Sequence, residues 1–126
     1  MLSKQLNEKI VRNLYREIPE FEKYSIEYMV DEEFLYGYLV MDCLGSFAKE
    51  LVRQKASSEL IDKCYSFVNH LCENDDKDIE EWLKVTFLES MVEKGEVLDV
   101  TRLKLKGKAS IFFEEVIESP FFGGGK

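Results

Sequence analysis

Six carboxylates crowd nine positions of the stretch LCENDDKDIEEWLKVTFLES, residues 71–90: Glu73, Asp75, Asp76, Asp78, Glu80 and Glu81. Oxygen ligands at that density raise calcium first. An EF-hand loop needs D-x-[DN]-x-[DN]-G and a closing glutamate, because the glycine makes the turn that gathers the oxygens. No glycine follows Asp78, and a helical apolar pattern begins at once, so that loop is excluded. A local role fits better. Asn74 or Asp75 caps a helix starting here, Asp78 stands three residues after Asp75 as in a capping box, and Glu80 and Glu81 fall in the first turns. Carboxylates at a helix start complement its dipole by about 0.3–1 kcal/mol each. That role accounts for about half of the acids by the same dipole argument. The others form either a solvated face or a surface for a cationic partner.

The single histidine, His70, lies near Cys64 and Cys72. A Cys–His nucleophilic pair needs the two groups within hydrogen-bond reach. Partners on one helix must sit about three or four residues apart, whereas Cys64 is six away and Cys72 two. Zinc would want paired ligand spacings, and a di-iron helical site would want two Glu-x-x-His units; neither is present. His70 is therefore read as a structural or surface residue. There is no G-x-G-x-x-G and no Walker sequence, and the glycine run 123–125 has no helix after it to receive a phosphate. No catalytic residue, cofactor or metal is expected, and the chain is read as a non-enzyme. A small enzyme whose site leaves no motif stays open as a third reading.

Aromatic residues mixed with carboxylates suit Arg- and Lys-rich protein surfaces, through charge pairing and cation–π contact. Tyr24, Tyr28, Tyr36 and Tyr38 cluster beside Asp31, Glu32 and Glu33. The candidate partner-binding residues are thus Asp31, Glu32, Glu33 and Tyr36 in one block, and Asp76, Glu80 and Glu81 in the other. Trp82 lies on an apolar stripe and is read as core.

The charge balance agrees. The 126 residues carry a net charge of −8, which disfavours nucleic-acid backbones and anionic membranes as partners. Residues 19–36 hold six acids and one base, and residues 73–93 hold eight acids and two bases. Residues 94–108 reverse the sign, with five bases and two acids. No window approaches the ~20 apolar residues that span a bilayer. The N-terminus lacks an apolar signal core, so a cytoplasmic protein is expected. Three cysteines, Cys43, Cys64 and Cys72, argue against a disulfide framework; Cys43 and Cys64 read as buried free thiols.

The elements that must position these residues follow from apolar spacing. Residues 3–18 predict a helix capped by Ser3, and Pro19 ends it or starts a weaker one over 20–29. Residues 32–54 give the strongest helical pattern, apolar on more than one face. Gly37 and Gly45 lie on it eight apart, which favours close approach of a neighbouring helix over merely tolerated glycines. Residues 57–73, capped by Ser57 or Ser58, and 76–93, stopped by Gly95, form an antiparallel pair. The segment 96–106, EVLDVTRLKLK, alternates like a strand but has no strand partner; an extended loop or a helical turn across the bundle is expected. Residues 108–118 predict the last helix. The core should include Leu39, Leu44, Phe67, Trp82 and Phe87.

The runs FLYGYLVMDCLGSFAKEL, LIDKCYSFVNHLCENDDKDIEEWLKVTFLESM and LKGKASIFFEEV, with the element Phe87-Leu88-Glu89 and the segment Lys106-Gly107-Lys108-Ala109-Ser110, resemble a family of small bacterial helical proteins of unassigned function. The resemblance covers roughly residues 33–117 and rests on packing motifs. It implies an immunity protein of a bacterial toxin system and carries over no catalytic residue. The expected fold is all-α, with five or six helices in antiparallel pairs around the apolar helix 32–54, as a bundle or short helical repeat. One helical domain over 1–119 and a flexible tail over 120–126 are expected. The expected function is an acidic cytoplasmic binding protein that neutralises a toxin domain with a basic surface by occlusion, as a monomer or weak dimer. The alternative is a helical adaptor or regulatory subunit unrelated to toxins.

Overall fold

The computed structural model describes residues 3–28 and 37–119. Seven α-helices run through the described residues: α1 Lys4–Glu17, α2 Pro19–Tyr28, α3 Gly37–Arg53, α4 Ser58–Cys72, α5 Lys77–Leu83, α6 Glu96–Lys104 and α7 Gly107–Glu118. A π-helical turn, Lys84–Leu88, continues α5. The described residues contain no strand. None of their helices is long and apolar enough to cross a membrane.

The helix starts have local causes. Ser3 Oγ accepts from Leu6 N at 3.1 Å, and Ser57 Oγ accepts from Leu60 N at 3.4 Å. Pro19 takes the first position of α2, where its missing N–H costs no helical bond. Lys55 ends α3 in the left-handed region at φ 53°, and Ala56 N reaches back to Leu51 O at 3.0 Å. That is a Schellman-type stop without the usual glycine.

The helix count exceeds the expected five or six because 96–104 is a full helix. Its acids, Glu96 and Asp99, stand in the first turn, and Arg102 and Lys104 in the last, as the dipole prefers. Val97 and Thr101 face inward while Leu103 is 68% exposed. The alternation in TRLKLK therefore reflects one stray exposed leucine, not a strand period. Gly95, at φ 107°, does not end the preceding helix; it opens α6, and the helix before it stops near Met91.

One apolar cluster joins all the helices. Leu44, Phe67, Trp82 and Phe87 are buried as expected. Leu39 lies among the side chains outside the description, as do Tyr28 and Tyr38, and the tail 120–126 is outside the described residues. α3 packs against α1, α2, α4, α6 and the π turn. Its Gly45 sits hard against Ser90: an added Cβ would meet Ser90 Oγ inside contact distance and Ser90 Cβ at 3.3 Å. Close packing is thus the reason for that glycine. The surroundings of Gly37 lie outside the described side chains.

Gly45→Ala should destabilise the protein. Alanine gains about 1 kcal/mol of helix propensity. It must displace the Ser90 hydroxyl from Phe87 O, 2.8 Å away, and overpacking costs about 1–3 kcal/mol. In a Ser90→Ala background the same change should cost about 1 kcal/mol less, or become favourable. Equal costs in both backgrounds, by urea denaturation, would remove the Gly45–Ser90 contact as the constraint.

Candidate interaction surface

The break between α4 and α5 forms the rim of a groove of about 290 Å³, lined by Asn74, Asp75, Asp76, Lys77, Glu80, Lys108 and Phe112. The cap is Asp76, beyond the expected Asn74 or Asp75. Its Oδ1 accepts from Asp78 N at 2.9 Å and Ile79 N at 3.3 Å. Ile79 holds the position where a capping box would place an acid, so no reciprocal bond forms there. Asn74 turns back to donate to Leu71 O at 3.4 Å. Asp75 reaches across to Lys108 on α7. Glu80 accepts from Lys84 at 3.0 Å, and the same ammonium donates to Glu115 at 2.7 Å while lying 5.2 Å from the centroid of the Phe112 ring.

This geometry sorts the expected site residues. Asp76 is a helix cap and Glu80 an ion-pair partner, so both serve the fold first. Glu81 is exposed and makes no ion pair among the described residues. Asp31, Glu32, Glu33 and Tyr36 lie outside the described residues. Tyr24 is no free anchor. Its ring packs 4.9 Å from Phe47 and 6.5 Å from Phe21, and its hydroxyl donates to Glu50 at 3.2 Å. Trp82 is 1% exposed, as the apolar stripe predicts, with its indole N–H buried and unpartnered.

Sequence reasoning missed a second acidic feature. Asp42 on α3 and Glu89 after the π turn come together because Gly45 and Ser90 bring their segments into contact. Partial burial first, and the Glu89 carboxylate second, push the Asp42 carboxyl up from its ordinary value. No spacing rule signals a pair 47 positions apart, 89 minus 42. Cationic partners for this pair are absent among the described residues.

The groups that could do covalent chemistry are kept apart. Cys43, Cys64 and Cys72 are all buried and free, and burial pushes each thiol up to about 12. His70 faces outward on α4, beside a groove shared with Asn13 and Glu17 of α1. Among the described residues no three His, Cys, Asp or Glu side chains gather as a metal site would require.

Fold and site together describe a small helical protein whose described surface combines unpaired carboxylates with ion pairs between elements. The family model for a domain of unknown function (DUF7674) matches residues 11–106, and the chain belongs to that family. No curated protein and no solved structure matches it.

Two substitutions distinguish the roles of neighbouring acids. Asp76→Ala should lose about 0.5–2 kcal/mol as a cap, and Asp75→Ala clearly less. Equal losses would return the cap to Asp75. Asp42→Asn tests the raised carboxyl. A folded-state pKa above the unfolded one means the ionised group opposes folding at neutral pH, and that opposition fades as pH falls through the raised value. The variant should therefore be more stable than wild type at pH 7, with the gap closing on acidification. A gap of opposite sign, or one that widens in acid, would refute the raised Asp42 carboxyl.

Proposed function

We propose that this chain is an acidic binding protein that occludes a basic protein partner, and that the partner is a bacterial toxin domain, as the sequence resemblance implies. α3 serves as the hub of the rigid scaffold, and a cytoplasmic setting fits its free thiols. One observation carries the reading: three of the five cations of the basic block are spent on this chain's own carboxylates while other acids remain unpaired. Arg102 binds Glu114, Lys104 binds Asp62 and Lys108 binds Asp75. Asp42, Glu81 and Glu89 are left without a cation among the described residues. Asp42 and Glu89, whose carboxylates repel, gain most from a partner that supplies positive charge.

The test follows the geometry. Asp76 and Glu80 are left intact, because changing them would perturb the fold. One variant carries Asp42→Lys, Glu81→Lys and Glu89→Lys; the rival carries Asp31→Lys, Glu32→Lys and Glu33→Lys. A partner co-purified from native cells is identified, and its association with wild type and both variants is timed at two salt concentrations. Reversal in the true site should slow association by about tenfold or more, and salt should slow the wild type. An immunity role also requires that the bound partner lose a toxic activity. Unchanged rates in both variants would remove electrostatic recognition; a partner without toxicity would favour the adaptor reading.

A further inference from the structure

Helix α7 is charged against its own dipole. Its N-terminal end carries Lys106 and Lys108 and no acid, while Glu114, Glu115 and Glu118 fill its C-terminal half with no base in the last turn. Both arrangements oppose the partial charges of the helix ends. α6, just before it, has the favourable order. No side chain caps α7, and its first residue, Gly107, lies at φ 55°. Twelve residues with these faults would not hold a helix alone in water.

Docking supplies what the helix lacks. Lys108 meets Asp75 of the α4–α5 connection, Glu114 meets Arg102 of α6 at 3.0 Å, and Glu115 meets Lys84 of the π turn at 2.7 Å. Each unfavourable charge except Glu118 is answered from another element, Lys106 by the Leu103 carbonyl of α6 at 3.1 Å. Buried apolar contact comes from Ala109, Phe113 and Val116. The three ion pairs are open to solvent on at least one side, with exposures of 43% and 88%, 48% and 43%, and 21% and 55%. Salt therefore reaches them. The match to the family model also ends at residue 106, immediately before this helix.

We propose that α7 is a charge-latched strap: it is helical only while docked, and it opens as one unit below the threshold for global unfolding, with ionic strength setting the latch. Opening uncovers the faces of α4 and of the π turn on which α7 lies. This inference rests on the fold and not on the identity of any partner.

Amide hydrogen exchange of the full chain, followed by mass spectrometry, tests it. Between low salt and about 1 M NaCl, where the screening length is ~3 Å, α7 amides should exchange about tenfold faster while α3 amides change little. Two variants should act with opposite signs. Arg102→Gln leaves Glu114 unanswered and should speed exchange in α7. Glu118→Lys breaks no ion pair, corrects the charge at the helix end, and should slow it. Exchange of α7 in step with α3 at every salt concentration, or indifferent to both variants, would overturn the strap and show a helix held by packing alone.

Discussion

How closely α3 can approach residues 84–90 sets the geometry of the described structure. Gly45 lets the backbone of α3 meet Ser90 without a side chain between them. That approach buries Phe87, Leu88 and Met91 completely. The π turn belongs to the same constraint. Thr86 Oγ1 donates to Trp82 O at 2.7 Å in the buried interior, satisfying a carbonyl where the ordinary helical ladder changes step. On the other side of α3, Phe47 packs 5.5 Å from Phe21, and Ser25 is hydrogen-bonded to Tyr15 at 3.0 Å, tying α2 to α1. α4 is fixed to α6 by a buried hydroxyl pair, Tyr65 with Thr101 at 2.8 Å, and burial pushes the Tyr65 phenol up to about 12.

Much of this was legible from apolar spacing and caps. Ser3 and Ser57 mark helix starts because a short hydroxyl next to an apolar repeat has few other uses. The glycine at 45 signalled close approach because a helix interior rarely retains the cost of one without a packing reason. Where sequence reasoning failed, two periods competed or the partner was distant. Leu103 and Leu105 look like alternate strand positions, yet one is exposed beyond the helix face and the other is buried at the helix cap. The acids at 75 and 76 are both good caps, and only the path of the chain decides between them. Asn69 spans Lys104 O at 3.2 Å and Lys106 N at 2.9 Å, a clamp that no local pattern announces.

The candidate site was legible as a charge imbalance but not as a map. A count of acids treats Asp75, Asp76, Glu80 and Glu81 alike. The fold gives the first to a lysine, the second to its own helix and the third to an ion pair shared with α7. Conversely, Asp42 and Glu89 look unremarkable in sequence and become an opposed pair only after α3 docks. The basic run 94–108 is likewise misleading as a surface feature, because three of its five cations close against this chain's own carboxylates.

That internal use of positive charge is the physical basis of the proposed recognition role. A catalytic group must be exposed enough to meet substrate and poised near its working protonation state. The three thiols are buried and held far above neutrality, which keeps them from acting as thiolates. His70 stands on the outer side of α4, away from Cys64 and Cys72 on the inner side, so the one imidazole cannot activate either sulfur. What solvent meets instead is charge carried on the helices. Under the proposed function, carboxylates held on helices would select a complementary basic surface by rate and register.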